Sequence, residues 1–437
     1  MKQAYPIDKI TRPVSKFIRQ EHTSGIVLLA AVIIAIAWVN SPFQHLYHQL
    51  WDIKLTIGFG NYILDHPLHL WINDGLMAIF FFVIGLELKR EFMAGELSTI
   101  KKASMPMFAA LGGMLVPALI YFLVNRGSAS ANGWGIPMAT DIAFAIALLS
   151  VAGKHIPSSV KVFLSALAVA DDLGAVLVIA TFYSNGINMV PLTIGVGLLV
   201  ILLIGNKMGI RSVLFYLVIG FAVWIAFLLS GIHATIAGVL VAFTIPARTR
   251  VSENTYADCL KQYLSDFEDE IPNNSTLTTP GQHHIIEKIK KISLDAETPL
   301  QKIEHALHPW VAFIIMPLFA LANAGIVIGA DFFSSLINPV SMGVAIGLLA
   351  GKFTGVLLFT WLMVKWGGTL PSGSDWKQMS GVALLAGVGF TMSLFISGLA
   401  FNSPEMIDQA KYGILLASLL AGISGIIVLK AVKPKQH

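Results

Sequence analysis

The chain has 437 residues, of which 55% are hydrophobic and only 12% are charged, and its mean hydropathy is +0.73. Soluble domains average about 25% charged residues, so this composition argues against a soluble protein and indicates a membrane protein. The net charge of +4 does not predict nucleic-acid binding, because the basic residues are scattered between apolar segments. The single Cys259 lies in a polar segment, which excludes an internal disulfide framework and leaves redox chemistry without support.

About twelve apolar segments are long enough to cross the hydrocarbon core of a bilayer as helices. Spans 1 to 12 are predicted at residues 24–40, 67–86, 104–124, 131–151, 158–183, 190–205, 211–229, 231–247, 306–328, 340–364, 378–401 and 410–430. With a cytoplasmic N-terminus, nearly all 29 Lys and Arg lie inside; Lys54, Arg126 and Lys411 lie outside, and Lys352 lies within span 10. This bias predicts one polytopic domain over residues 1–437, with both termini in the cytoplasm.

Span 1 has a second interpretation, because basic residues precede Gly25 to Val39 and Ala35 to Ala37 resembles a signal cleavage site. The long basic leader favours a retained span. An even number of spans also suits the basic C-terminal segment.

Residues 41–66, between spans 1 and 2, predict a small periplasmic β-hairpin. Apolar residues alternate from Trp51 to Phe59 and are followed by the turn pair Gly60-Asn61. An exposed hairpin edge can pair with a second copy, which predicts a homodimer. The alternative is a hairpin packed on its own subunit.

Spans 4 and 11 contain residues that interrupt helices. Gly133, Gly135 and Pro137 precede Asp141 in span 4, and Gly387 and Gly389 precede Thr391 in span 11. Such breaks leave backbone groups that protein or a water-lined cavity must satisfy, although glycine also allows close helix packing. Each break lies in the middle of a triplet, and spans 3–5 and 10–12 enter the membrane from opposite sides. The prediction is an all-α membrane protein of inverted-topology repeats with two broken helices.

Asp171 and Asp172 lie at the middle of span 5, and Lys352 lies at the middle of span 10. Consecutive helical residues point about 100° apart, so one aspartate can face a cavity shared with Asp141 while the other pairs elsewhere. Lys352 is the predicted partner, because an unpaired ammonium at that depth is costly. A purely structural ion network is the alternative, but three carboxylates with one ammonium leave negative charge for a cation or protons.

Residues 248–303, between spans 8 and 9, form a polar insert. The acidic run Ser265–Glu270 and the turn-rich Pro272–Ser275 predict short surface helices or disorder on the cytoplasmic side. Thr298 followed by Pro299 predicts the N-cap and first turn of a helix that leads into span 9.

Several motifs resemble the signatures of NhaA-type Na+/H+ antiporters over nearly the whole chain. They are Trp71–Ala78 (WINDGLMA), Gly85–Glu91 (GLELKRE), Thr140–Ala145 (TDIAFA), Ala170–Gly174 (ADDLG), Leu307–Trp310 (LHPW) and Gly389–Ser393 (GFTMS). The resemblance implies a transporter of the bacterial inner membrane that is not an enzyme and needs no cofactor. The 248–303 insert is longer than the family pattern, which leaves pH regulation through this loop open.

The resemblance further implies that Asp171 and Asp172 bind the cation and protons, that Asp141 and Thr140 lie where the broken helices cross, and that Lys352 balances charge. Na+ prefers oxygen ligands, which aspartates, the Thr140 hydroxyl, backbone carbonyls and water can supply. Protons and Na+ or Li+ would compete for these oxygens, and two protons exchanged for one cation would move net charge.

A second cluster is predicted at the cytoplasmic face, where histidines could sense pH. It comprises Glu87, Arg90, Glu91, Glu304, His305 and His308. The alternative is that these are solvated helix-end residues. Asp74 and His233, near the other face, are interpreted as structural.

Two other functions are compatible with parts of this sequence. A Na+-coupled solute symporter could share this architecture, but few polar side chains remain for an organic substrate. An intramembrane aspartyl protease would carry a Gly-x-Gly-Asp pattern, which is absent around Asp141 and Asp171. The function predicted is electrogenic exchange of cytoplasmic Na+ for external protons, with a role in pH homeostasis.

Overall fold

The computed structural model describes residues 21–59, 62–153, 156–184, 186–270, 277–329 and 336–432. Within them a two-stranded sheet joins helices that account for most of the chain. The strands are β1 (Lys54–Phe59) and β2 (Tyr62–Pro67). The first helices are α1 (Glu21–Val39), α2 (Gln44–Asp52), α3 (Leu68–Ala94), α4 (Ile100–Val124), α5 (Ala129–Met138), α6 (Ile142–Ala152), α7 (Ser158–Phe182), α8 (Met189–Lys207) and α9 (Val213–Ser230). The others are α10 (Ala234–Thr244), α11 (Glu253–Asp269), α12 (Pro280–Ala296), α13 (Pro299–Asn323), α14 (Pro339–Lys365), α15 (Trp376–Ala386), α16 (Phe390–Ala400) and α17 (Pro404–Lys430).

The predicted class, an all-α membrane protein, is confirmed. Eight helices in the described ranges are long and apolar enough to cross a bilayer, and up to eleven spans result if each bent pair is one span. Span 8 is shorter than predicted, because α10 has only 11 residues. At 1.5 Å per residue it is about 16 Å long, roughly half of a hydrocarbon core.

Side chains from neighbouring helices bind the carbonyl groups at the C-terminal end of α10. Lys89 Nζ donates to the carbonyl oxygens of Phe243, at 2.7 Å, and Ile245, and Asn206 Nδ2 donates to that of Thr244 at 2.7 Å. Carbonyls freed at a helix end inside a membrane protein need such partners, so a half-length helix is tolerated here.

Both predicted broken helices are present. Helices α5 and α6 meet at a bend of 44°, and α15 and α16 meet at a bend of 42°. The first break, at residues 139–141, closely follows Gly133, Gly135 and Pro137, and the second, at residues 387–389, contains Gly387 and Gly389 themselves. The first half of span 4 differs from expectation in that α5 is a 3-10 helix rather than an α-helix.

The hairpin is also confirmed, with a correction at its start. Strands β1 and β2 pair antiparallel, with Lys54 opposite Pro67 and Phe59 opposite Tyr62. Trp51, predicted to begin the first strand, lies instead in the last turn of α2 and is buried. At Trp51, burial of the side chain in a helix therefore determines the local structure, although the alternating pattern predicted a strand. The turn residues Gly60 and Asn61 lie outside the described residues.

The polar insert contains two helices of 17 residues each, longer than the short helices predicted. Tyr256 of α11 and Ser293 of α12 approach within 3.1 Å through their hydroxyl groups. At the base of this helical hairpin, Arg211 donates to the carbonyl oxygens of Arg248 at 3.0 Å and Glu297 at 2.6 Å. The predicted turn at residues 272–275 lies outside the described part of the chain.

Helix α13 begins as predicted. The Thr298 side chain accepts a hydrogen bond from the Gln301 backbone N–H, and Pro299 occupies the first turn. Pro is suited to this position because its missing N–H would have no partner within the helix.

Candidate functional site

The two breaks are buried and are hydrogen bonded to each other. The backbone N–H of Asp141 donates to the carbonyl oxygen of Val388 at 2.7 Å. The Ser393 hydroxyl donates to the Ile136 carbonyl oxygen at 2.9 Å. Backbone groups freed by one break are thus satisfied by the other, as an apolar environment requires.

Asp141 lies at the N-terminal ends of both second half-helices. Its Oδ1 accepts from the backbone N–H of Phe144 at 3.1 Å, which caps α6. Its Oδ2 accepts from the backbone N–H of Thr391 at 3.1 Å, in the first turn of α16, and from the Thr391 hydroxyl. Because helix N-termini carry partial positive charge, one carboxylate stabilises two helix ends.

Asp171 is the aspartate that pairs with Lys352, as the sequence predicted that one of the two would. The Lys352 ammonium contacts Asp171 Oδ2, and both side chains are buried. The Thr140 hydroxyl lies 2.6 Å from the same oxygen and 2.9 Å from the Ala386 carbonyl oxygen. A hydroxyl has one proton, so Thr140 can donate to only one of these acceptors at a time.

A π-helical stretch directly precedes Lys352 within α14. It spans Gly347–Gly351 and interrupts the regular hydrogen bonding of that helix. Such stretches occur frequently at functional sites because they redirect the side chains that follow.

Asp172 faces a different direction from Asp171. Together with Asp141 it lines a cavity of about 840 Å³, whereas Asp171 does not. Asp172 is only 2% exposed, and its Oδ2 accepts no hydrogen bond from the described residues, nor does Asp171 Oδ1. Buried carboxylate oxygens usually have partners, so these free oxygens suit a cation or a proton.

The cavity continues to the cluster predicted at the cytoplasmic face. The six predicted residues Glu87, Arg90, Glu91, Glu304, His305 and His308 all line it. Arg90 pairs with Glu304 Oε1 at 2.9 Å and with Glu91 Oε1 at 3.2 Å, joining α3 to α13. One cavity therefore connects the two sets of residues that the sequence could only suggest separately.

The three aspartates are not arranged as a complete set of ligands for a metal ion. The described residues contain no group of three or more His, Cys, Asp or Glu side chains arranged to hold a metal ion. Asp171 is engaged by Lys352 and Thr140, which removes one of the three predicted Na+ ligands from the cavity. A cation there would need hydroxyl, carbonyl or water oxygens besides Asp172.

Sequence reasoning missed the role of Thr391, whose backbone and side chain both bind Asp141. The usable signal was a hydroxyl residue two positions after Gly389, in the first turn that follows the break. Asp74 and His233, predicted to be structural, are not among the cavity-lining residues.

Crossed broken helices with buried, partly unpaired carboxylates at the end of a cavity define a membrane transporter of ions. The profile of the family described as Na+/H+ antiporter 1 matches residues 15–429. The chain belongs to this family, whose members are transporters rather than enzymes.

Similar proteins of known name match along nearly their whole length. The Na(+)/H(+) antiporter NhaA of Oleidesulfovibrio alaskensis is 49% identical, with 97% of this chain and 95% of the relative covered. Na(+)/H(+) antiporter NhaA 2 of Syntrophotalea carbinolica is 47% identical over 98% of both chains. NhaA of Acidithiobacillus ferrooxidans is 48% identical over 97% of this chain and 98% of its own.

A solved structure, the sodium proton antiporter MjNhaP1 from Methanocaldococcus jannaschii, also matches. It shares 15% identity with this chain, covers 93% of it, and has a TM-score of 0.42. The likeness is too distant to add to the sequence matches.

Proposed function

We propose that this protein exchanges Na+ or Li+ for protons across the membrane, carrying cytoplasmic Na+ outward and external protons inward. The observation that carries the proposal is the contrast between adjacent aspartates: Asp171 is paired with Lys352, while Asp172 lines the cavity and has an oxygen without a hydrogen-bond partner among the described residues. The full-length relatives carry antiporter names, so solute symport, the earlier alternative, has no support.

Competition for the same oxygens would couple the two fluxes. A hard cation such as Na+ binds carboxylate oxygens, and protonation of Asp172 removes that ligand. If the site can switch between the two sides of the membrane only when it holds either Na+ or protons, then transport of one ion in one direction requires transport of the other in the opposite direction. Two protons for one Na+ would move one net charge, worth about 2.3 kcal/mol per 100 mV of membrane potential.

Replacing each aspartate tests this assignment. In everted membrane vesicles acidified by respiration, Na+ or Li+ should dissipate the pH gradient for the parent protein, and K+ should not. Asp171→Asn and Asp172→Asn should each abolish this response, because each removes a titratable ligand with little change in volume. Asp408→Asn, which alters an exposed carboxylate paired with Lys411, is the matched control. Normal exchange by Asp172→Asn would contradict the proposed site.

We also propose that the cavity opens to the cytoplasm, with both termini and the 248–303 insert on that side. The distribution of Lys and Arg supports this orientation. Labelling of the single Cys259 with a membrane-impermeant thiol reagent tests it. Modification in everted vesicles but not in intact cells is the expected result, and the opposite pattern would reverse the topology.

The hairpin at residues 41–66 supports a further proposal, a homodimer formed through its edge. Lys54, Leu55 and Thr56 of β1 are exposed, and β1 pairs only with β2 among the described strands. Contacts that fix the hairpin to its own subunit, such as Trp71 Nε1 to the Leu55 carbonyl oxygen at 3.0 Å, would hold that edge in place. Deletion of residues 54–67 should convert a dimer to a monomer in detergent, measured by light scattering. A dimer that survives the deletion would exclude this interface.

The cluster around Glu304 supports regulation by cytoplasmic pH. Arg90 of α3 and Glu304 of α13 form an ion pair beside His305 and His308, so a change in the charge of this cluster with pH would alter the contact between the two helices. Competition between protons and Na+ at the aspartates also predicts low activity at acid pH. Saturating Na+ should restore the rate if competition is the cause, but it should leave the maximal rate low if a separate sensor is the cause. The maximal rate between about pH 6 and about pH 9 should therefore differ between the parent and a His305→Ala/His308→Ala variant. Superimposable curves would mean that pH acts at the aspartates alone.

A further inference from the structure

Tyr183 directly follows α7, and its hydroxyl is bound between two backbone groups of α5. The hydroxyl donates to the Asn132 carbonyl oxygen at 2.8 Å and accepts from the Gly135 backbone N–H at 3.1 Å. These two groups are three residues apart, the spacing of a 3-10 hydrogen bond. The hydroxyl therefore binds both the acceptor and the donor of one such i to i+3 pair, and it joins α5 to the end of α7.

Packing around Tyr183 leaves little freedom for this connection. A Cβ atom on Gly135 would lie only 2.6 Å from the Tyr183 hydroxyl oxygen, which is too close without a shift of one of the two residues. The Trp134 ring stacks on the Tyr183 ring, with centroids 6.4 Å apart and planes at 28°, and meets the Phe182 ring edge-on at 5.0 Å. The first half of the broken helix is thus fixed to the end of α7 by both hydrogen bonds and ring contacts.

The two helices that Tyr183 joins both lead to the ion site. Helix α7 carries Asp172, roughly 17 Å before Tyr183 along the helix axis. Helix α5 leads within three residues to Asp141. The cavity follows the N-terminal half of α7, from Ser158 to Asp172, and Tyr183 is not among its lining residues. Tyr183 therefore lies on the side of the site opposite the cavity.

Tyr183 also contacts a helix outside this group. Its carbonyl oxygen lies 2.8 Å from His233 Nε2, at the N-cap of α10. A carbonyl can only accept, so Nε2 carries the proton in this contact. The residue consequently links α5, α7 and α10 at the side that must open when the site changes its exposure.

We propose that Tyr183 is a positioning residue that makes α5 and α7 move as one body, so that Asp141 and Asp172 change exposure together. This inference rests on the proposed exchange of Na+ for protons. Removal of the hydroxyl weakens the connection between the two helices, although the ring contacts remain, and slows the change of exposure, but it leaves the oxygens that bind Na+ in place. The maximal exchange rate is therefore affected, whereas the half-saturating Na+ concentration is not.

Tyr183→Phe tests the proposal because it removes only the bridging hydroxyl. The Asn132 carbonyl and the Gly135 N–H can then bond each other, so the variant should fold. We expect the maximal rate to fall about fivefold to thirtyfold, as for the loss of one to two hydrogen bonds, with the half-saturating Na+ concentration changed less than about twofold.

The matched control is Tyr216→Phe. The Tyr216 hydroxyl is bound to the Ile210 carbonyl oxygen at 2.8 Å, far from the breaks, and the residue is equally well buried. This variant should exchange at the parental rate. A parental rate for Tyr183→Phe, or a fall in both tyrosine variants alike, would overturn the inference while parental exchange itself stands. Absence of exchange in the parent would instead refute the proposed function.

A double-variant cycle measures the direct coupling. Gly135→Ala places a methyl group against the Tyr183 hydroxyl, so it should also lower the maximal rate. In the Tyr183→Phe background the hydroxyl is absent, and Gly135→Ala should cost about threefold less than in the parent. Purely multiplicative effects of the two substitutions would show that they act separately and would overturn the coupling.

Discussion

The two triplets of spans share a broken middle helix but differ in the charge of the side chains that they bring to the crossing. Helices α4 to α7 and helices α14 to α17 each contain a broken middle helix, with bends of 44° and 42°. The first triplet carries the three carboxylates Asp141, Asp171 and Asp172, whereas the second carries Lys352 and Thr391. The first thus supplies negative charge, and the second supplies an ammonium and hydrogen-bond donors.

The strongest side-chain contacts at the crossing join one triplet to the other. Lys352 contacts Asp171, and Thr391 contacts Asp141. Among the described residues Asp172 Oδ2 has no such partner, and the Asp172 side chain lines the cavity. An inverted repeat can therefore keep one backbone design while the residues diverge, and the residue left without a partner is the candidate ligand.

Lys352→Ala should have the largest effect of the substitutions at the crossing, because it removes the ion pair between the two triplets. It leaves Asp171 buried without its counter-ion, which typically costs about 3–5 kcal/mol of unfolding free energy. The melting temperature in detergent should fall accordingly, whereas Lys365→Ala, at the exposed end of the same helix, should leave it unchanged. Equal melting temperatures for Lys352→Ala and the parent would argue against the pairing across the triplets.

Asp141→Asn should have the next largest effect. Asparagine keeps one acceptor oxygen but loses the charge that stabilises the N-termini of α6 and α16, at a cost of about 1–2 kcal/mol. Thermal unfolding in detergent measures that loss, and vesicle assays should show exchange reduced by more than about tenfold. A variant with parental stability and activity would mean that the two helix ends do not need this carboxylate.

Thr391→Val tests the donor side of the crossing. Valine retains the shape and the backbone N–H but removes the hydroxyl bond to Asp141, so we expect about 1 kcal/mol of destabilisation and a changed half-saturating Na+ concentration. Thr360→Val is the control, because that hydroxyl binds only the Val356 carbonyl oxygen of its own helix. If both valine variants change the half-saturating Na+ concentration equally, the Thr391 hydroxyl has no specific effect on Na+ binding.

The smallest effect is expected outside both triplets, in the helical hairpin of α11 and α12. Replacing residues 252–294 by a short flexible linker keeps the contacts of Arg211 with Arg248 and Glu297 that hold the base. Exchange rate and half-saturating Na+ concentration should stay within about twofold of the parent, since long surface insertions contribute little to the core. A larger change in either would give the insert a role in transport.

Several features of this protein were determined locally and could be predicted from the sequence. Apolar length predicted the spans, glycine and proline predicted the breaks at residues 139–141 and 387–389, and Thr298 predicted the start of α13. Each depends on residues that are neighbours in the chain. Lys352 was also predicted to pair with one of the two adjacent aspartates, because a membrane interior permits few other arrangements for a buried ammonium.

The remaining features depend on partners that are distant in sequence. Trp51 could not be assigned to a helix from its alternating neighbours, and the half-length α10 is explained only by Lys89 and Asn206 at its end. The sequence predicted that one of two adjacent aspartates would pair with Lys352, but not which one. Tertiary packing decided that Asp171 takes the ammonium and Asp172 faces the cavity, because it sets the rotation of α7 against α14 and the crossing of the two breaks.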